Sequence, residues 1–205
     1  MLPVLTLLKL LVAYLTTWTA TDLNTGMQQY KSCNILKALN SLHLYLVGRN
    51  SFQLNGYPDS DYVNCLDNSH SISGYCFTLG SGVVSWSLQK QPAVANSSCY
   101  TEYITLHNAS HEVIFLQQLL NGLSLHPPGA PQLFCDNKAT TCLSEGHVWH
   151  SHTKHIRVKY HFTHEHVLVG NITVSCIGSK DKTADIFMKL LAHIDFHRLC
   201  HYLSI

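Results

Sequence analysis

Charged side chains are scarce in this sequence. They make up 12% of its 205 residues, about half of the roughly 25% found in a typical soluble domain. The net charge of +1 gives no strong electrostatic signal for nucleic-acid binding and does not exclude it. Because Asp and Glu together number only 12, an acid that follows an apolar segment carries more information here than it would in an average protein.

Closely paired cysteines are also missing. None of the 8 cysteines is separated from another by two residues, which excludes a zinc ribbon and a thioredoxin-like redox pair. The apolar N-terminus and the glycosylation motifs at Asn96, Asn108 and Asn171 would fit secretion, but Lys9 interrupts the apolar stretch and no positive segment precedes it. Residues 10–20 are too few to span a bilayer. We therefore expect an intracellular protein without a membrane span, whose cysteines stay reduced and have no stable disulfide partner.

Alternating apolar and polar residues predict three consecutive strands after residue 51. The first leads into the acidic segment GYPDSDY at 56–62, and the second alternates through Tyr75, Phe77 and Leu79. A Gly-Ser-Gly turn then connects to a third strand at 83–86. Three antiparallel strands joined by short connections are the expected result.

A long amphipathic helix follows these strands. Ser97 or Ser98 can cap a helix that runs to about Asn121, with Gly122 as its stop signal. Its predicted buried stripe has helical spacing and consists of Leu106, Ala109, Val113, Leu116 and Leu120. Glu102 lies one turn earlier on this stripe, where a carboxylate is costly unless it is paired or binds a metal ion. Alternatively, it complements the helix dipole in the first turn and points to water.

The second half of the chain alternates strands with helices. The apolar segment 133–135 ends abruptly at Asp136, which is typical of a central strand that delivers a carboxylate to the edge of an α/β sheet. An acid at such a place is also common as a helix N-cap. Helices are predicted at about 138–144, 151–169, 183–191 and 193–203, and a fifth strand at 172–176. The order β-β-β-α-β-α-α-β-α, followed by the last short helix, predicts an α/β fold, with a mixed sheet flanked by helices.

Four acids occupy comparable places in this pattern. Asp59 lies on a strand, Glu102 and Asp185 lie near helix starts, and Asp136 lies at a strand end. Because carboxylates repel one another, a cluster of four would persist only by binding cations. Hard oxygen ligands favour Mg²⁺ or Mn²⁺, and two such ions form the arrangement that hydrolyses phosphodiesters in line.

Motifs along the chain point to a known family. In order, between about Ser51 and Leu191, the chain contains FQLNGYPDSDY, SISGYCFTLGSGVVSWSLQKQPAVA, TEYI, CDNKA, HSHTKHIRVKYHF and TADIFMKLL. This series resembles the ribonuclease H domain of copia-type long-terminal-repeat retrotransposon polyproteins. Upstream, ILKALNSLHLYL resembles the segment that links the reverse transcriptase to that domain. The resemblance implies that residues 1–50 are a remnant of reverse transcriptase and connection. It also implies that residues 51–205 form a ribonuclease H-like domain, with a five-stranded mixed sheet of three antiparallel strands and two parallel additions.

The resemblance also implies an activity. The family's catalytic and metal-binding tetrad falls on Asp59, Glu102, Asp136 and Asp185. These residues would hold two Mg²⁺ or Mn²⁺ ions and cleave the RNA strand of an RNA–DNA hybrid. The paired-aspartate motif of the polymerase is absent. A reverse transcriptase domain is therefore an expected partner and not an activity of this chain.

An enzyme of this kind reads 2′-hydroxyl groups and groove shape instead of sequence. The candidates for such contacts are Asn137, Ser73 and Gln91. Lys154, together with Arg157 and Lys159, could lie along the phosphates. The alternative for these three basic residues is a solvated helix face without a ligand.

Two features depart from the family pattern. Pro58 directly precedes Asp59, where the family usually has a small polar residue, and Tyr100 replaces an acid that is common two residues before Glu102. A proline in a central strand removes a ladder hydrogen bond. The alternative function is therefore a catalytically inactive, retrotransposon-derived domain of the same fold, which at most binds nucleic acid or a protein partner.

Histidines near the C-terminus form a separate motif. His193, His197 and His201 are spaced at i, i+4 and i+8, with Cys200 adjacent, so that one helix face could bind zinc. The alternative is a terminal helix whose exposed histidines bind nothing.

Overall fold

Five strands form a mixed sheet whose order is β3-β2-β1-β4-β5. The computed structural model describes residues 52–62, 70–80, 82–92, 97–144, 157–178, 183–188 and 193–202. Its strands are β1 (Leu54–Asp61), β2 (Ile72–Leu79), β3 (Gly82–Lys90), β4 (Gln132–Cys135) and β5 (Thr173–Cys176). The pairs β1–β2 and β2–β3 are antiparallel, whereas β1–β4 and β4–β5 are parallel. The predicted fold, with three antiparallel strands and two parallel additions, is confirmed. The expectation for residues 1–50 lies outside the described residues.

Strand β1 passes through Pro58 without a break. Its pairing with β2 continues in register on both sides of the proline, since Pro58 is opposite Tyr75 and Asp59 is opposite Gly74. On the other side, β1 pairs with β4 only at Asn55 and Gly56. Pro58 therefore lies beyond the part of β1 that pairs with β4, and the predicted disturbance of the strand does not appear as a shift in register.

The described helices are α1 (Ser98–Gly122), α2 (Lys138–Ser144), α3 (Arg157–Leu168), α4 (Asp185–Met188) and α5 (His193–Tyr202). The bounds predicted for α2 are matched, and α1 ends one residue later than predicted. The predicted start of α3 at 151 and end of α4 at 191 lie outside the described residues. Gly170, with a positive φ of 76°, follows α3 where the sequence predicted its end. In the described part of the chain, no helix has both the length and the apolar character needed to cross a membrane.

Helix α1 supplies much of the core. Its N-cap is Ser97, whose side-chain oxygen accepts a hydrogen bond of 3.2 Å from the backbone N–H of Tyr100. The predicted stripe is buried in full, at Leu106, Ala109, Val113, Leu116 and Leu120, and joins the same cluster as the sheet residues Leu54, Phe77 and Leu133. Each large apolar side chain buried in this way contributes roughly 1.5–3 kcal/mol. This packing fixes α1, and with it Glu102, against the sheet.

Candidate metal centre

Asp59 is the most deeply buried acid of the centre. It lies near the end of β1 and has an exposed fraction of 0%. Tyr57, two residues earlier, shares its face of the sheet because strand side chains alternate. The Tyr57 ring stacks on Phe134 of β4, with ring centroids 5.3 Å apart. The carboxylate is therefore on the same face of β1 as a stacked aromatic ring and is shielded from bulk water.

Asp136 is placed by the end of β4 and the start of α2. The residue after it, Asn137, caps α2, because its side-chain oxygen accepts hydrogen bonds from the backbone N–H groups of Ala139 (2.9 Å) and Thr140 (3.2 Å). The sequence left open whether Asp136 itself serves as this cap, and the structure assigns the role to Asn137. The cap of α2 is therefore made by Asn137 and not by the carboxylate of Asp136.

Glu102 comes from the early part of α1. The first turn of α1 contains no acid, so Glu102 does not take the dipole-complementing position that the sequence left open. It is half-buried. The pKa of the neighbouring Cys99 thiol is raised, chiefly by burial and also by the charge of Glu102, while its hydrogen bond with Thr140 acts in the opposite direction. The 3.9 Å contact between Cys99 Sγ and Thr140 Oγ1 also connects α1 to α2 beside the site.

The structure brings three of the four predicted acids together. Asp59, Glu102 and Asp136 each offer one carboxylate oxygen, and these atoms all lie within 4.8 Å of one another. Three like charges at this spacing repel, and a cation removes the repulsion. The donor set consists only of hard carboxylate oxygens, which suits Mg²⁺ or Mn²⁺ better than a soft transition metal. The residues present therefore fit a divalent metal ion.

Asp185, the fourth predicted acid, is not part of this cluster. It is the first residue of α4 and is half-buried. Its place at a helix start agrees with the sequence pattern, but the structure gives it no place among the oxygens within 4.8 Å. Its membership of a tetrad stays a prediction.

Ser73 and Gln91, predicted to contact nucleic acid, lie in a buried polar network. Their exposed fractions are 4% and 2%. The Gln91 side-chain amide donates to Ser73 Oγ at 2.7 Å and to the Thr101 carbonyl at 3.2 Å. The hydroxyl of Thr105 donates to the same Ser73 oxygen at 2.7 Å, and that of Thr101 to Ser71 Oγ at 3.2 Å. These bonds attach β2 and the residue after β3 to the part of α1 that carries Glu102.

The remaining nucleic-acid candidates are placed as follows. Asn137 is half-buried and uses its side-chain oxygen to cap α2, while its side-chain amide is not needed for that cap. Lys154 lies outside the described residues, and of Arg157 and Lys159 only the backbone, in α3, is described. A role for these residues in binding phosphates stays a prediction.

Two features of the site were missed from the sequence. The Tyr57–Phe134 stack could have been found by counting two residues back from Asp59 and Asp136 on neighbouring strands. The network had a weaker signal, namely Thr101 and Thr105 at i and i+4 of a helix next to a catalytic candidate. Polar residues on a buried helix face require partners, but the sequence does not name them.

Comparisons with known proteins give relatives over most of the chain. It is 32% identical over 162 residues to the retrovirus-related Pol polyprotein from transposon RE2 of Arabidopsis thaliana, an alignment that covers 79% of this chain and 11% of the relative. It is 35% identical over 147 residues to that from transposon TNT 1-94 of Nicotiana tabacum, covering 72% of this chain and 11% of the relative. The chain thus spans about a tenth of the length of these relatives. No protein-family model matches it.

Among solved structures, the chain is similar to the N-terminal RNase H domain of rv2228c from Mycobacterium tuberculosis, determined as a fusion with maltose-binding protein. The TM-score is 0.50 at 14% sequence identity, and the match covers 74% of this chain and 98% of the other. At this identity the likeness concerns the fold, which is RNase H-like.

Proposed function

Over most of its length the chain is homologous to a segment of the Pol polyproteins of copia-type retrotransposons, and from this relation we propose that it is a metal-dependent ribonuclease H. The proposed reaction is hydrolysis of the RNA strand of an RNA–DNA hybrid. The observation that carries the proposal is the convergence of Asp59, Glu102 and Asp136 within 4.8 Å on an RNase H-like fold. Three carboxylates this close together repel one another, and a bound cation would relieve that repulsion.

Asp59, Glu102 and Asp136 would hold the metal ion, and Asp185 is proposed to complete a site for two ions from the start of α4. When bound, Mg²⁺ or Mn²⁺ neutralises charge on a scissile phosphate and makes water a better nucleophile. The protein's part is to keep the carboxylates in place before substrate arrives. Asp59 and Glu102 come from a strand and a helix, and Asp136 lies in the two-residue connection between β4 and α2. Rigid elements hold a site more precisely than loops do.

Each of the three acids has its own support. The pairing of β1 with β2 on both sides of Asp59 fixes its backbone. The Asn137 cap fixes the chain just after Asp136. The network around Gln91 holds the start of α1, and therefore Glu102, against β2. We propose that Gln91 and Ser73 support the start of α1 from inside the protein and do not contact the hybrid themselves.

The proposed substrate and partner follow from the relation to Pol polyproteins. Because this chain corresponds to about a tenth of such a protein, a reverse transcriptase domain on a separate or longer chain is the proposed protein partner. Asn137 borders the acid cluster through Asp136, and its side-chain amide is the first candidate for a hydrogen bond to the hybrid. An intracellular place of action, expected from the sequence, stays a prediction.

One observation favours a second candidate function. Asp185 does not belong to the cluster of three acids, so a domain that binds a single metal ion, or nucleic acid without cleavage, would also be consistent with the geometry. This candidate is the inactive retrotransposon-derived domain. The two candidates differ in turnover and can be separated by one assay.

The assay incubates the full chain with a hybrid whose RNA and DNA strands carry different labels, in Mg²⁺, in Mn²⁺ or in chelator. Single-stranded RNA and duplex RNA serve as substrate controls. The matched variant is Asp136→Asn, which keeps the size of the side chain and removes its charge. We expect cleavage of the RNA strand of the hybrid alone, dependent on metal and lost in the variant.

The outcomes are distinct. No cleavage by a chain that shows the circular dichroism of a folded α/β protein would establish the inactive domain. Cleavage that persists in Asp136→Asn at the wild-type rate would reject the acid cluster as the active site.

A further inference from the structure

The histidine motif at the C-terminal end of the chain is not explained by the proposed function. His193 is the first residue of α5, and His197 lies one turn later. Both side chains are exposed. Their Nε2 atoms are 3.0 Å apart, and their ring centroids are separated by 4.2 Å. Two imidazoles on the surface thus present the same nitrogen atom to each other.

This spacing suits a shared ion. Imidazole nitrogens bind zinc at about 2.0–2.1 Å, so two of them on one ion are separated by about 3 Å when they occupy neighbouring coordination positions. At this distance the proton of one Nε2–H group can lie between the two nitrogens. A metal ion can take the place of that proton, and the backbone of α5 does not have to move.

A second pair with the same sequence spacing provides a contrast. His107 and His111, also at i and i+4, have rings 4.6 Å apart in a perpendicular arrangement, and His111 stacks on Phe162 with centroids 3.8 Å apart. His107 is also buried. In that pair the His111 ring lies against Phe162, whereas on α5 two exposed imidazole nitrogens lie 3.0 Å apart.

We propose that His193 and His197 form a surface site for a divalent transition metal ion, separate from the acid cluster. Imidazole suits Zn²⁺, Ni²⁺ and Cu²⁺, while carboxylates suit Mg²⁺ and Mn²⁺, so that the two sites would select different metals. Water would complete the coordination. His201 continues the same helix face, but its side chain is outside the described residues and is not needed for the proposal.

A charged pair lies beside the two histidines on α5. Arg198, next to His197, has its guanidinium 3.5 Å from Asp195 on the same helix, so that a carboxylate offsets its charge. Leu199 is buried and anchors α5, which contacts α4. An ion that bridges positions i and i+4 would hold the first turn of α5 in helical form. Metal binding should therefore raise the thermal stability of the chain.

The test uses nickel chloride alone with the full chain, monitored by isothermal titration calorimetry and thermal unfolding. Variants His193→Gln and His197→Gln each remove one ligand, and His126→Gln and His111→Gln are the matched controls. We expect each ligand variant to weaken the nickel site by at least about tenfold, because the second ligand binds at high effective concentration. The controls should keep the affinity and the rise in melting temperature.

Magnesium binding provides an independent reference. It should be the same in the wild type and in both ligand variants, because it belongs to the acid cluster. Equal nickel affinity in the wild type and in either ligand variant would overturn the proposal. So would a wild type that binds no nickel at all.

Discussion

A carboxylate oxygen of Asp59 on β1 and one of Glu102 on α1 lie within 4.8 Å of each other. The strand places the first acid and the buried stripe of α1 places the second, so the core packing itself determines that they meet. Two buried or half-buried carboxylates at this distance raise each other's energy in the charged form. A bound cation would therefore stabilise the pair, and metal affinity and melting temperature measure this effect.

Neutralising Asp59 should affect metal binding far more than neutralising Asp185. We expect Asp59→Asn to weaken the first Mg²⁺ site by at least about tenfold, since even the loss of a residue that only supports a ligand costs about 10–100-fold. In the absence of metal the same variant should unfold at an equal or higher temperature, because repulsion among the acids is reduced. Calorimetric titration and thermal unfolding measure the two effects.

Asp185→Asn should leave the affinity of the first Mg²⁺ site within about threefold of the wild-type value, a change below 1 kcal/mol. The reason is that Asp185 is outside the cluster of three acids. An equal loss in the two variants would mean that Asp185 moves into the site when metal binds.

Replacing Gln91 should cost stability through the loss of buried hydrogen bonds. Gln91→Ala removes the donor to Ser73 Oγ and the Thr101 carbonyl, and a buried group left without its partner costs about 1–3 kcal/mol. Gln89→Ala, at an exposed position of β3, is the control and should change the unfolding free energy by less than about 0.5 kcal/mol. Urea unfolding gives both values.

Gln91→Ala and its control Gln89→Ala also test the contact between Gln91 and nucleic acid that the sequence predicted. If Gln91 touched the hybrid directly, Gln91→Ala would weaken hybrid binding even at temperatures where the variant is fully folded. A supporting position predicts unchanged binding of the hybrid under those conditions.

Gly56 should not tolerate a side chain. A Cβ at this position would overlap the Phe77 ring and lie 2.5 Å from Cδ2 of Leu133, both of which are fully buried core residues. Overpacking of this kind costs typically about 1–3 kcal/mol, so Gly56→Ala should lower the unfolding free energy by that amount. Gly122→Ala, with open space around it at the end of α1, should instead stabilise by up to about 1 kcal/mol. A stabilising Gly56→Ala would mean that β1 and β4 can separate locally at little cost.

Stability should decline as the solution becomes acidic, in part through His111. Burial lowers the pKa of His111, and the nearby charge of His166 lowers it further. The pKa of His111 in the folded chain is below its unfolded value of 6.5. At pH values near and below 6.5, the unfolded chain therefore binds more protons than the folded chain. The contribution to stability is complete above that value and is lost as the pH falls below it.

Urea unfolding at several pH values between about 7.5 and 5.5 measures the slope of the unfolding free energy against pH. His111→Gln should reduce it, while His126→Gln, at an exposed site, should not. Two other titratable groups, His107 and His166, lie at the same interface between α1 and α3, because Phe162 contacts both of them. A slope that is identical in all three proteins would exclude His111 as a source.

The sequence predicted the parts of this molecule that depend on local periodicity. The α1 stripe from Leu106 to Leu120 and the bounds of α2 follow from spacing and caps, which act over a few residues. The convergence of Asp59, Glu102 and Asp136 also could be predicted, since strand ends and helix starts meet at the edges of a sheet.

Other features depend on distant contacts and could not be predicted. Nothing near Ser73 or Gln91 in the sequence shows that α1 will cover them. The cluster of acids contains Asp59, Glu102 and Asp136, and whether Asp185 joins them when metal is bound stays a prediction. The two histidine pairs have the same spacing in sequence, yet only the structure distinguishes a nitrogen pair on α5 from an aromatic stack on α1.

The early separation of β1 from β4 has an evolutionary consequence. Their pairing ends at Gly56 and Leu133, two residues before Pro58. A proline is harmful in a sheet chiefly because it removes a bond to a neighbouring strand, and on the β4 side of Pro58 there is no such pair to remove. Selection against a proline beside the buried Asp59 would therefore be weak. The position is a permissive one, where an unusual residue can become fixed in a lineage without being a sign that the adjacent acid has lost its use.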